Sequence, residues 1–181
     1  REAEGDRITM HGLWLENNEF SYREDLEVPD PKEMEALIRV NLAGICSTDL
    51  EMGKGYYPFG GVPGHEFVGV VEQAPSEPAW VGRRVVGEIN ITCGHCVSCL
   101  AGRSHHCLER KTLGIHDKDG VFAEFVTLPI NNLHRVADGV PDDVAVFTEP
   151  VAAALEIQQQ VHIRPDQSVL VVGAGRLGML V

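Results

Sequence analysis

Four of the five cysteines lie within one short segment of the chain. They are Cys93, Cys96, Cys99 and Cys107. This spacing lets the backbone fold back so that four thiolates meet one ion, and a zinc site closed by four sulfurs has no open position for a substrate. The segment therefore predicts a structural zinc site, with its three histidines, at positions 95, 105 and 106, on the surface. Two alternatives stay open: an iron–sulfur cluster, because the first three thiols have ferredoxin-like spacing, and core cysteines that bind no metal.

A second set of metal-binding residue types is spread over three short motifs. Cys46 lies in Gly-Ile-Cys-Ser-Thr-Asp, His65 in Gly-His-Glu and Glu149 in Thr-Glu-Pro. Together they offer a sulfur, an imidazole and a carboxylate, which is a three-ligand zinc set that leaves a position for water or substrate. Asp49 is placed to orient a ligand, and the Thr48 hydroxyl to pass a proton. Taken separately, however, a lone cysteine is often a small core residue, and a lone histidine is often structural.

A glycine-rich turn follows an apolar run near the end of the chain. The run at 169–172 predicts a buried strand, and Gly-Ala-Gly-Arg-Leu-Gly follows at 173–178. In a dinucleotide site Gly173 would allow the tight turn, Gly175 the approach of the diphosphate, and Gly178 the packing of helix on strand. A glycine turn after any buried strand is the alternative. The residue that selects NAD or NADP is expected about 20 positions further on, so the sequence does not identify the cofactor.

Short apolar runs separated by glycine and proline predict the elements that position these residues. The predicted strands are 36–40, 67–71, 84–91, 122–128 and 132–136, with a turn over 41–48. Such spacing is typical of a β-barrel or sandwich. Asp142 and Asp143 can cap a helix over 144–147, and Pro150 can open another that reaches about residue 160.

Composition excludes several classes of function. The formal net charge of −12 and the absence of a basic stripe argue against nucleic acid and anionic membranes as partners. No apolar run approaches the roughly 18 residues that span a bilayer, and clustered cysteines without a secretion signal indicate a reducing cytoplasm. The chain lacks an initial Met and stops within an apolar run. We therefore expect a fragment of a longer protein.

Taken in order, these motifs, together with Gly-Val-Phe-Ala-Glu-Phe at 120–125, resemble the zinc-dependent medium-chain alcohol dehydrogenases. The Glu-Pro pair at 149–150 is similar to the polyol and threonine dehydrogenase branch. The resemblance covers residues 10–181. It implies a mainly β, GroES-like barrel catalytic domain over 10–148, a helical connector over 149–165, and the first strand and turn of a truncated Rossmann domain over 166–181.

The resemblance also implies roles for individual residues. Cys46, His65 and Glu149 would hold a catalytic zinc ion, and Glu66 would exchange with water in its coordination shell. Thr48 would be the hydroxyl of a proton relay. Many relatives end that relay with a histidine five residues after the catalytic cysteine, where this chain has Glu51.

The expected activity is hydride transfer between a small-molecule alcohol and NAD or NADP, with two zinc ions per chain and a homodimer or homotetramer for the full-length protein. A secondary alcohol, a polyol or an amino alcohol such as threonine would fit. The isolated chain is expected to be inactive. The competing hypothesis is a zinc-stabilised scaffold or binding module without catalysis, which would need the four-cysteine site but not the second zinc site.

Four residues between the two ligand motifs are candidates to line a substrate pocket, or else to pack in the core. They are Met52, Tyr56, Tyr57 and Phe59. The segment 115–117 is a further candidate for the substrate channel, with His116 expected at the surface.

Overall fold

The computed structural model describes residues 8–181, and its chain begins with a β-hairpin. Strands β1 (Thr9–Glu16) and β2 (Glu19–Glu27) pair antiparallel through a turn at Asn17 and Asn18. Both asparagines have positive φ, 52° and 66°, as a two-residue hairpin turn that matches strand twist requires. The sequence analysis missed this hairpin, although the Asn-Asn pair between alternating apolar residues was a usable signal.

The remaining strands form one larger antiparallel sheet and one small pair. They are β3 (Glu35–Gly44), β4 (Glu66–Gln73), β5 (Arg84–Gly87), β6 (Asn90–Ile91), β7 (Lys111–Thr112), β8 (Phe125–Pro129) and β9 (Leu133–Arg135). Five of them form a sheet in the order β8-β3-β4-β5-β9, and β6 pairs with β7. The sheet curls into a half-barrel, which confirms the mainly β prediction.

Most predicted strands exist with shifted bounds. The predicted strand over 84–91 is two strands, β5 and β6, and the one over 122–128 begins only at Phe125. The predicted turn over 41–48 was wrong at its start, because β3 continues to Gly44 in register with β4. A partner strand can supply the backbone hydrogen bonds of residues just before a turn. The sequence alone does not show whether such a strand is present.

The main core lies on one face of the curled sheet. Ile38, Val85, Leu113 and Leu128 are fully buried there. Removing such aliphatic side chains from water contributes about 1.5–3 kcal/mol each. This buried core stabilises the sheet, which in turn positions the loops at the ends of its strands.

The described part of the chain, residues 8–181, also contains four α-helices. They are α1 (Ser47–Met52), α2 (Val97–Leu100), α3 (Asp142–Ala145) and α4 (Thr148–Gln160). The predicted helix over 144–147 is α3, which begins and ends two residues earlier, with Pro141 as its N-cap. Asp142 and Asp143 lie in its first turn, where acidic side chains favour the helix N-terminus.

The predicted strand over 169–172 was wrong. This apolar run belongs to no strand, and its side chains are exposed, up to 90% for Val172. A parallel strand needs partners for its backbone and cover for both faces, and the described residues supply neither.

Among residues 8–181 there is also no helix with the length and apolar character needed to cross a bilayer.

Candidate functional site

The pairing of β3 with β4 brings two of the sequence motifs together. Gly44 lies opposite Glu66 in the ladder, so Cys46, just after β3, faces His65, just before β4. A Cβ atom on Gly44 would lie 3.0 Å from the Cβ of Glu66 and would clash with its carboxylate. Glycine at 44 is therefore required for this carboxylate to lie across the end of β3.

The backbone conformation of Gly64 sets the orientation of the neighbouring His65. Its φ of +93° is in the region that favours glycine, and the Phe122 ring packs against it closely enough that a Cβ would approach within 2.5 Å. The backbone N–H of Val121 donates to the Gly64 carbonyl at 3.0 Å, which ties the turn to the next segment. The sulfur of Cys46, a ring nitrogen of His65 and a carboxylate oxygen of Glu66 all lie within 4.8 Å of one another.

Helix α1 begins at this site. Cys46 is its N-cap, and the Cys46 backbone N–H donates to Asp49 Oδ2 at 2.8 Å. The Cys46 thiol lies 3.6 Å from Thr48 Oγ1. The first turn of one short helix thus holds the sulfur, the hydroxyl and a carboxylate on the same side.

Asp49 also faces the imidazole of His65. Nδ1 of His65 lies 3.5 Å from Oδ1 of Asp49, and both side chains are almost fully buried. Burial alone lowers the pKa of His65, but the neighbouring Asp49 and Cys46 outweigh it and raise that pKa to about 9. The Asp49 carboxylate therefore favours the protonated form of this imidazole.

Glu149, the second residue of α4, lies near these residues but outside their converging group. Burial raises its pKa, and the carboxylates of Glu66, Glu88 and Asp49 raise it further, whereas His65 lowers it. The side chain is half-buried and lines a groove of about 860 Å³ that runs along α4 to the four-cysteine segment. The structure therefore brings Cys46, His65 and Glu66 together and leaves Glu149 at their edge.

This donor set fits a divalent cation. A thiol, an imidazole and two carboxylates are the ligands zinc takes in proteins. Among the described residues no carboxylate of this group pairs with lysine or arginine, and Nδ1 of His65 and Oδ1 of Asp49 are buried without a hydrogen bond. Buried groups of this kind are normally satisfied, and a bound cation would offset the repulsion that Glu149 has with the carboxylates of Glu66 and Asp49.

The four cysteines form a second, separate cluster around α2. Their sulfurs are close enough for one ion, with Cys107 Sγ 3.6 Å from Cys93 Sγ and Cys96 Sγ 3.9 Å from Cys107 Sγ. Hydrogen bonds from the backbone N–H groups of Cys99 and Leu108 lower the pKa of Cys96 to about 6. Burial and the neighbouring sulfurs raise that of Cys99 to about 12. All four are free thiols.

The histidines of this segment are exposed, as expected. His95 has 70% of its side chain exposed and lies 3.8 Å from Glu109. Both could approach the Cys93 sulfur, but that sulfur already belongs to the four-cysteine cluster.

The residues between the ligand motifs do not form one pocket wall. Met52 is fully buried and belongs to the core, whereas Tyr56 and Tyr57 are 71% and 41% exposed. The two tyrosine rings stack edge to face with centroids 5.7 Å apart, and Phe59 is half-buried. His116 is half-exposed, as expected.

The glycine-rich turn lies against the loop of Cys46. Gly173 has a φ of +105°, a Cβ on Gly178 would overlap the Gly173 carbonyl, and a Cβ on Gly175 would meet nothing within 4 Å. The side chain of Arg176 hydrogen-bonds Ser47. The sequence analysis passed over both residues, and no local pattern in the sequence would have linked them.

Comparison with known proteins places these motifs in a family. Residues 32–138 match the alcohol dehydrogenase GroES-like domain. L-threonine 3-dehydrogenase from Deinococcus deserti is 41% identical over 93% of this chain and 48% of its own length. The starvation-sensing protein RspB of Escherichia coli K12 is 36% identical over 86% of this chain and 47% of its own length.

Solved structures agree with this match. The structure of RspB from E. coli CFT073, complexed with NADH, superposes with a TM-score of 0.89 at 35% identity over 95% of this chain and 51% of that one. The alcohol dehydrogenase from Thermus sp. ATN1 superposes with a TM-score of 0.84 at 31% identity, over 94% of this chain and 53% of that one. The chain spans about half the length of the relatives it matches. It belongs to the zinc-dependent medium-chain alcohol dehydrogenase family, of which it carries the GroES-like domain.

Proposed function

We propose that the protein containing this chain is a zinc-dependent, NAD(P)-linked oxidoreductase that interconverts an alcohol and its carbonyl by hydride transfer. The observation that carries the proposal is the convergence of Cys46, His65 and Glu66 within 4.8 Å, beside the Thr48 hydroxyl. A thiolate, an imidazole and a carboxylate leave a coordination position free for substrate.

Cys46, His65 and Glu149 would hold the catalytic zinc ion, with Glu66 as the carboxylate that exchanges with water. Bound there, the metal supplies Lewis-acid activation of the substrate hydroxyl, while the nicotinamide serves as hydride acceptor. The other four cysteines would hold a second, structural zinc ion.

The chain's own residues orient the ligands and move the proton. Asp49 accepts the Cys46 N–H through one oxygen and faces His65 Nδ1 with the other, so it fixes both ligands. The Thr48 hydroxyl, next to the sulfur, would accept the proton that the alcohol loses and pass its own proton on toward solvent, so that it stays neutral. Glu51, whose Oε1 lies 2.8 Å from Lys54 Nζ at the exposed side of α1, occupies the position where many relatives end the relay.

A secondary hydroxyl beside an amino group is the first substrate class to test. Several relatives that match 86–93% of this chain carry the name L-threonine 3-dehydrogenase. Polyols and simple secondary alcohols are the other two classes. The cofactor is NAD or NADP, since solved relatives include one complexed with NADH and one described as a zinc-binding dehydrogenase bound to NADP.

The test is a substrate screen on the protein extended to the length of its relatives, with formation of reduced nicotinamide as the readout. L-threonine, a polyol and a secondary alcohol are each assayed with NAD and with NADP. The Cys46→Ser variant is expected to lose turnover and one of about two zinc ions. A Cys46→Ser protein that keeps the wild-type rate would contradict the assignment of Cys46 to the catalytic zinc site, whereas a wild type inactive on all three classes would favour the non-catalytic scaffold.

We further propose that the 181-residue chain alone binds nicotinamide cofactor weakly and turns over slowly or not at all. The exposed apolar run at 169–172 has no strand partners among the described residues, and a dinucleotide site needs the sheet that such a strand would join. Measurable dehydrogenase activity of this chain would contradict that proposal.

A further inference from the structure

The side chain of Arg176 spans from the glycine-rich turn to the loop that carries Cys46. Its Nη1 donates a hydrogen bond to the carbonyl oxygen of Ile45 at 2.5 Å, and its Nη2 donates to Oγ of Ser47 at 3.0 Å. The two acceptors flank Cys46 in the chain. They are 131 and 129 residues away from Arg176 in sequence. The contact therefore joins two segments that are distant in the chain.

Arginine suits this contact for a chemical reason. A planar guanidinium presents several N–H donors in a fixed fork, so one side chain can bind two acceptors at once and hold their relative position. Among residues 8–181, Arg176 forms no ion pair with a carboxylate. Its hydrogen bonds to the loop are therefore not by-products of a charge pair elsewhere.

The turn that carries Arg176 is held internally. The N–H of Met179 donates to the Gly175 carbonyl at 3.0 Å, and that of Leu180 donates to the Leu177 carbonyl at 3.0 Å. At the other end, Ser47 opens helix α1, whose first turn contains Thr48 and Asp49. Arg176 thus connects one small ordered unit to another.

We propose that Arg176 is a positioning residue that fixes the glycine-rich turn against the loop of Cys46 and Thr48. This inference rests on the proposed function, in which a dinucleotide diphosphate lies on the turn and the alcohol lies beside Thr48. Hydride transfer requires the reacting atoms to be about 3–3.5 Å apart, and a misplacement of about 1 Å can reduce the rate about 100-fold. A direct link between the two binding elements limits such misplacement.

Hydrogen exchange of the 181-residue chain, read by mass spectrometry, tests the link without any activity. Arg176→Met is expected to speed amide exchange about 2- to 10-fold in the peptide that covers residues 42–52, because it removes hydrogen bonds that each contribute modestly. Arg164→Met is the matched control, since Arg164 is an exposed arginine whose side chain pairs with nearby Asp166. Exchange in 42–52 that is the same in Arg176→Met and in wild type overturns the proposal.

Two further variants separate positioning from general stability. Arg176→Lys keeps the charge and one donor group but not the planar fork, and is therefore expected to restore only part of the protection. Ser47→Ala combined with Arg176→Met is expected to exchange no faster than Arg176→Met alone, because the two residues share one contact. Fully additive effects of the two substitutions would show that Arg176 and Ser47 do not act together, and complete rescue by lysine would show that the two-acceptor fork is not needed.

The same substitution, made in the protein extended to the length of its relatives, tests whether Arg176 contributes to turnover. Arg176→Met is expected to lower kcat about 10- to 100-fold with zinc content unchanged, and an unchanged kcat would overturn the role in turnover. A wild type with no activity would instead contradict the proposed function, whereas the exchange result would still decide whether the link exists.

Discussion

The imidazole Nδ1 of His65 lies 3.5 Å from Oδ1 of Asp49, and both atoms are buried without a hydrogen bond. The second oxygen of Asp49 accepts the backbone N–H of Cys46 at 2.8 Å. One carboxylate thus touches both residues that the sequence motifs nominate as metal ligands. A buried carboxylate in this position orients a ligating imidazole and increases its basicity.

Asp49→Asn is expected to weaken zinc binding at this site about 10- to 100-fold, the usual effect of removing an outer partner of a metal ligand. Asparagine has nearly the same size and can still accept the Cys46 N–H, so the fold is expected to hold. Affinity is measured by competition with a chromophoric chelator. Glu51→Gln is the control, because Glu51 lies on the same helix but is exposed and pairs with Lys54. Equal zinc affinity in Asp49→Asn and wild type would show that Asp49 does not support this site.

Glu149→Gln is expected to change stability in opposite directions with and without zinc. In chelator-treated protein, burial and nearby carboxylates raise the pKa of Glu149. A raised folded-state pKa gives stability that is fully present below the unfolded pKa of about 4.3 and is lost as pH rises through the folded value. The glutamine variant avoids that loss, so its Tm should exceed that of wild type at pH 8 and match it near pH 4.

In zinc-loaded protein the sign reverses. Because Glu149 is a proposed zinc ligand, removing its carboxylate is expected to lower the zinc affinity and therefore the Tm at pH 8. Glu156→Gln, seven residues along α4, is the matched control and is expected to follow wild type in both series. A glutamine variant at 149 that is more stable than wild type even with zinc present would show that Glu149 is not a ligand.

The chemistry-bearing residues could be predicted from the sequence because each motif is local. The four cysteines lie within 15 positions, and the structure brings their sulfurs together. The meeting of Cys46 with His65 follows from the antiparallel pairing of β3 with β4, two strands that come one after the other in the chain. Glu149 was different, because α4 reaches the site by the tertiary fold alone, and no spacing in the sequence fixes its distance from His65.

The misassigned elements have separate physical causes. Residues 169–172 have the composition of a buried strand, but apolar residues form a strand only where partners exist, and here they are exposed. The hairpin of β1 and β2 escaped notice because its second strand is mostly polar, with most of its residues exposed. The contact of Arg176 with Ser47 depends on how two distant turns meet, which residue types alone do not encode.

Gly64→Ala is expected to destabilise the chain by about 2–4 kcal/mol and to displace His65. A left-handed φ costs an alanine about 1 kcal/mol or more, and its Cβ would press on the Phe122 ring, which adds an overpacking cost of about 1–3 kcal/mol. Urea unfolding measures the loss, and the zinc content reports the displacement.

Gly139→Ala is the control for Gly64→Ala. Gly139 has a similar φ of +87°, but a Cβ there would meet nothing within 4 Å. Only the backbone cost of about 1 kcal/mol should remain, with zinc content unchanged. Equal destabilisation by the two substitutions would show that the packing of Phe122 on Gly64 contributes nothing to holding His65.

Cys107→Ser is expected to remove one zinc ion per chain and to loosen the four-cysteine segment while the main sheet stays folded. The segment between β6 and β7 has little secondary structure beyond the four-residue α2 and a two-stranded pair, so its order depends on the ion that the sulfurs bind. Amide exchange should rise across residues 93–112 and stay low in β3 and β4. His105→Asn is the control, because it changes an exposed side chain of the same segment outside the sulfur cluster, and it should keep both zinc ions. Loss of zinc in His105→Asn, or two zinc ions retained in Cys107→Ser, would contradict a site closed by four sulfurs.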